Sequence, residues 1–121
     1  MANTSVQAVP VDSQQFIDLW ALEYHKKVAE RMRIDPEGIV AKARDNLKRW
    51  LSDYQVGSSD ARCLEEWWEL LETRTVPELI AIITEDSDEG QRLRSSTPFT
   101  GILSFEEREE IYNHYAETAT V

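Results

Sequence analysis

Apolar residues recur along most of the chain at steps of three and four, which is the spacing of amphipathic helices. The clearest stripe consists of Phe16, Trp20, Tyr24, Val28 and Met32. It predicts a first helix that is capped at Asp12 or Ser13 and ends near Arg33. A second helix should follow the cap Asp35 and run for about five turns to a stop at Gly57.

Local capping signals divide the rest of the chain into shorter helices. A third helix is expected at 61–73. In a capping box, a Ser or Thr cap and a Glu three residues later satisfy free backbone groups of the first turn. Two such boxes and one further acidic start predict helices that open at Thr75–Glu78, at Asp86–Glu89 and at Ser104–Glu107. Residues 95–101, with their proline and glycine, should be non-helical.

These elements predict an all-α protein, a single compact bundle of about five to six helices. The chain has 121 residues, the size of one domain. We place the helical domain at 13–116, with the last helix reaching Tyr112 or Tyr115. Residues 1–12 have no periodicity and 117–121 are polar, so we expect both to be flexible tails.

The charge of the chain is concentrated in its second half. The net charge is -10, and residues 57–121 hold fifteen acids against five arginines. An acidic surface argues against nucleic acid as a partner and favours a basic protein, although solvated helix faces explain the same pattern. The single cysteine, Cys63, and the lack of a long apolar run predict a cytoplasmic protein with no membrane segment.

No arrangement of catalytic residues can be recognised in the sequence. His25 and His114 do not occur in a metal-binding motif, and the four glycines are not clustered. Glu65, Glu69 and Glu72 share helical spacing, but we expect them to point to water, opposite the tryptophans. We therefore predict no catalytic residue, no metal and no cofactor.

Adjacent tryptophans in the third predicted helix are the first candidate for a binding surface. Trp67 and Trp68 point about 100° apart on a helix, so one of them should lie at the core edge or anchor a partner. A broad core that covers both is the alternative. Glu65 and Glu69 on the same helix would steer a basic partner. A surplus tryptophan also allows a homodimer.

The segment from 89 to 108 is the second candidate. It places Arg92 and Arg94 before an apolar loop that contains Pro98 and Phe99. Such a loop suits insertion into a groove of a partner. In the alternative interpretation, Phe99 and its apolar neighbours seal one end of the helical core.

The same segment resembles a pattern, R-L-R-x-S-[ST]-P-F-x-G-[VIL]-L-S-x-E-E-R, of small bacterial all-α proteins. Similarity extends to the Asp35–Glu37 helix start and to the Trp68–Leu71 stretch, and it covers roughly 16–112. The resemblance implies an antitoxin-like partner protein and transfers no catalytic residue.

Two functional hypotheses follow. The first is a non-enzymatic acidic protein that binds and neutralises or regulates a protein partner, as an antitoxin or inhibitor does. The second is a DNA-binding or transcription-linked domain that uses the basic face from Lys42 to Arg49.

Overall fold

The computed structural model describes residues 13–55 and 57–120, with side chains described as far as Tyr115. The described residues form six α-helices and no strand, which confirms the predicted all-α bundle. The helices are α1 (Gln14–Ile34), α2 (Pro36–Leu51), α3 (Ser59–Thr73), α4 (Val76–Ile83), α5 (Asp88–Arg94) and α6 (Phe105–Thr120).

Side-chain caps start these helices at or near the predicted positions. Both capping boxes are confirmed. At α4 the Glu78 carboxylate accepts from the Thr75 backbone N–H at 2.8 Å, and the Thr75 hydroxyl accepts from the Glu78 N–H at 3.3 Å. At α6 the same two bonds join Ser104 and Glu107 at 2.8 Å and 3.1 Å. The starts of α4 and α6 are therefore encoded locally.

Some boundaries differ from the prediction. α2 ends at Leu51 rather than near Gly57. The Asp53 and Tyr54 N–H groups donate to the carbonyls three residues back, at 3.1 Å and 3.2 Å, so the chain forms turns in place of further helix. Ser87, and not Asp86, caps α5. α6 continues to Thr120, where a tail was expected from 117. The tail predicted at 1–12 lies outside the described residues.

α1 is the central helix of the bundle. It packs against α2, α4, α5 and α6, while α3 packs against α2. The core contains Val28 and Met32 from α1 together with Leu47, Trp67 and Ile83, all of them fully buried. Burial of each such side chain stabilises the fold by roughly 1.5–3 kcal/mol.

None of the helices in the described part of the chain has both the length and the apolar character needed to cross a membrane.

Candidate functional site

The predicted apolar loop lies inside the protein. Phe99 is 0% exposed, and Pro98 and Leu103 are also buried. The Phe99 ring packs edge-on against Trp67, with 5.7 Å between ring centroids. In this conformation Phe99 seals the core, and neither Phe99 nor Pro98 presents a side-chain surface to a partner.

Buried polar side chains fix this loop by donating to its backbone carbonyls. Tyr24 Oη donates to the Phe99 carbonyl at 2.7 Å. Asn46 Nδ2 donates to the carbonyls of Pro98 and Thr100, each at 2.9 Å. Trp67 Nε1 donates to the Leu93 carbonyl at 2.9 Å, just before the loop. The carbonyls of Pro98, Phe99 and Thr100 lie outside the helices, so these side-chain bonds satisfy them and hold the loop in one conformation.

His25 extends this network. Its Nδ1 lies 2.7 Å from the Ala21 carbonyl, and its Nε2 lies 2.7 Å from Thr97 Oγ1. Because a carbonyl only accepts, Nδ1 bears the proton and Nε2 accepts from the Thr97 hydroxyl. The same hydroxyl oxygen accepts from the Phe99 N–H at 3.1 Å. Burial lowers the pKa of His25 to about 4, which keeps the imidazole neutral in this arrangement.

The two arginines of the segment also make internal contacts. Arg92 is exposed and donates to both carboxylate oxygens of Glu66, at 3.0 Å and 2.8 Å, and to Glu89. These hydrogen bonds lower the pKa of Glu66. Arg94 is 3% exposed, and its Nη1 donates to the Ile83 and Glu85 carbonyls at the end of α4. Arg92 thus links α5 to α3, and Arg94 closes the α4–α5 turn.

The adjacent tryptophans have different environments. Trp67 is 0% exposed, whereas Trp68 is half-buried at the surface. Glu65, Trp68, Glu69 and Glu72 are spaced i, i+3, i+4 and i+7, so they form one stripe along α3. We expected the glutamates to lie opposite both tryptophans. That expectation is wrong for Trp68, because one residue turns a helix by about 100° and carries Trp68 toward the glutamates.

Trp68 lines a cavity of about 350 Å³ together with Leu51, Lys48 and Glu65. The cavity lies where α2 and α3 pack. Glu65 accepts from the Gly57 N–H at 3.2 Å, and the exposed Glu69 lies on the same stripe. Trp68, Glu65 and Glu69 were predicted as site residues of the protein-binding surface. Leu51 was missed, and Lys48 was predicted only as part of the alternative basic face. The position of Leu51 and Lys48 beside Trp68 could have been predicted only by first pairing α2 and α3 in antiparallel order.

The alternative basic face is mixed in charge. Lys42, Lys48 and Arg49 are exposed on α2, with the exposed Asp45 among them. Arg49 donates to Asn46 Oδ1 at 2.8 Å. Lys48 also borders the Trp68 cavity. Among the described residues, no group of three or more His, Cys, Asp or Glu side chains could hold a metal ion.

Comparison with known proteins found no matching family model, no matching curated protein and no matching solved structure.

Proposed function

We propose that this protein is a non-enzymatic acidic partner protein that binds and neutralises or regulates another protein through α3 and the adjoining part of α2. The main support is the half-buried Trp68, which lies in a stripe of glutamates and borders an apolar cavity. Tryptophan is enriched among residues that dominate binding energy at protein interfaces. The antitoxin-like role comes from the sequence resemblance.

The partner in this proposal is basic. Glu65, Glu69 and Glu72 surround Trp68 on α3, within a half of the chain that has a large excess of acids. Carboxylates of this kind accelerate the encounter with a basic surface and exclude acidic ones. Lys48 borders the same cavity as Trp68 and Glu65, but the three glutamates of the stripe outnumber it, so this surface favours a basic protein over DNA as the partner.

Capture from the native host tests this proposal. The bait is the full chain with a photo-crosslinking amino acid in place of Trp68. A matched bait has it in place of Phe105, which is 63% exposed on α6, a helix that packs against α1. We expect one basic protein to be cross-linked in stoichiometric amount from position 68 and not from position 105. The absence of any stoichiometric partner would overturn the proposal.

A further inference from the structure

A second cavity lies on the same side of the α2–α3 pair. Its volume is about 410 Å³, and its walls include Val40 and Ala41 of α2, Leu71 of α3 and Leu79 of α4. Most of the cavity surface is apolar, although the charged residues Glu37, Arg44 and Arg74 also line it, and the lining residue Ala41 is exposed. The α2–α3 surface therefore offers two apolar cavities.

The two cavities belong to one groove. On α2, Ala41 and Arg44 border the first cavity and Lys48 and Leu51 border the second. These positions follow one another at steps of three and four, so they share one helical face. α3 runs antiparallel to α2, because Arg44 contacts Leu71 while Lys48 and Leu51 share a cavity with residues at 65 and 68.

An ion pair crosses the groove where Arg44 lines the first cavity. Arg44 Nε lies 3.4 Å from Glu72 Oε2, and both side chains are partly exposed. The groove thus has an apolar recess at each end, with a polar bridge at the first. Ala41 and Lys48, one from each cavity, are seven residues apart, which is about 11 Å along a helix.

We propose that this groove binds an amphipathic helix of the partner, with large apolar side chains about seven residues apart in the two cavities. This inference rests on the proposed function and specifies the partner's structure. Two turns of a helix match the distance between the cavities, and helices commonly dock in grooves through anchors at such intervals. Basic residues flank the anchors on the side of the partner helix that faces Glu65 and Glu69.

Synthetic peptides test the inference with the full-length protein. The probe is a 20-residue helical peptide of about equal Lys and Ala content that has two leucines seven residues apart. Titration into the ¹⁵N-labelled protein should shift amide signals around both Ala41 and Trp68. Replacing either leucine by alanine should weaken binding about tenfold, as should exchanging all lysines for glutamates.

A matched pair of variants locates the binding site. Ala41→Trp fills the first cavity and should weaken binding of the two-leucine peptide at least tenfold. Ala81→Trp, at an exposed alanine of α4, should change it less than twofold. Equal weakening by both variants, or signal shifts confined to one cavity, would overturn the two-anchor inference.

One further peptide separates this inference from the proposed function. It has the same composition, but central prolines prevent helix formation. If it binds as tightly as the helical probe, the helix inference is overturned while binding of a basic partner stands. If neither peptide binds but cross-linking at position 68 captures a partner, the helix inference alone fails.

Discussion

Residues 92–103, the central part of the segment at 89–108, differ from the surface of α2 and α3 in how well the sequence indicates a binding site. The segment is the most distinctive part of the sequence, yet Arg94, Pro98 and Phe99 are buried and Arg92 is paired. The α2–α3 surface comes from ordinary amphipathic helices, yet it has two cavities, one of which Trp68 lines. A distinctive sequence motif can therefore serve to pack a loop into the core. A candidate binding surface can arise instead from the packing of two ordinary amphipathic helices.

Of the substitutions considered, Phe99→Ala should lower the unfolding free energy most. The ring is fully buried against Trp67, so its removal leaves a large cavity and should cost about 3–5 kcal/mol of unfolding free energy. Trp68→Ala, at a half-buried ring, should cost about 1–2 kcal/mol. Urea denaturation of both variants measures the difference. A Phe99→Ala protein of wild-type stability would show that the loop is not part of the core.

Acid should weaken the loop network through His25. The folded-state pKa of about 4 lies below the ordinary 6.5, so the unfolded chain binds the proton more readily. The neutral His25 therefore contributes roughly 3 kcal/mol to the unfolding free energy above about pH 6.5. This contribution declines as the pH falls and is lost near pH 4.

The variant His25→Gln, which cannot titrate, isolates that effect. Its unfolding free energy, measured against pH, should lack the decline between pH 6.5 and 4. Carboxylates whose pKa is lowered, such as Glu66, also contribute to the unfolding free energy. Their contribution is lost only at lower pH, below their ordinary pKa near 4.5. Identical pH profiles for the two proteins would contradict the lowered pKa of His25 and its neutral state in the folded protein.

Arg92→Gln should have a smaller effect. The residue makes a two-point contact with Glu66, but both side chains are partly exposed and screened by solvent. We expect a smaller drop in the thermal unfolding midpoint than Trp68→Ala causes, and added salt should reduce it further. A loss as large as that of Phe99→Ala would show that the link between α3 and α5 is a principal support of the fold.

The smallest expected effect concerns the basic face of α2. In a gel shift at low salt, the wild-type protein should leave duplex DNA unshifted, and Lys42→Ala with Lys48→Ala should change nothing. The acidic charge of the whole protein and the exposed Asp45 on this face oppose binding to phosphates. A shift that the double substitution weakens would favour the DNA-binding hypothesis.

Much of the fold could be predicted because helix signals are local. The stripe from Phe16 to Met32 and the capping box at Thr75 depend on residues within a few positions of each other. The end of α2 at Leu51 was missed because Gly57 is an equally good local stop, and the turns that follow Leu51 are not visible in the periodicity.

The candidate site depends on contacts between distant parts of the chain. Tyr24 and the Phe99 carbonyl are separated by 75 residues, and no local pattern indicates that this loop is bound from within. The sequence indicates that the Trp67 and Trp68 side chains point in different directions on α3, but it does not identify which one is buried. That choice follows from how α3 packs on α2, and the same packing creates the groove.

The central claim is that partners bind the α2–α3 surface rather than the segment at 92–103. The direct test measures the affinity of the captured partner for the Trp68→Ala variant and for the Arg92→Ala variant. Both side chains are at least partly exposed in the folded protein. Our account predicts at least a tenfold loss for Trp68→Ala and less than a twofold change for Arg92→Ala. A large loss for Arg92→Ala with unchanged binding by Trp68→Ala would contradict it.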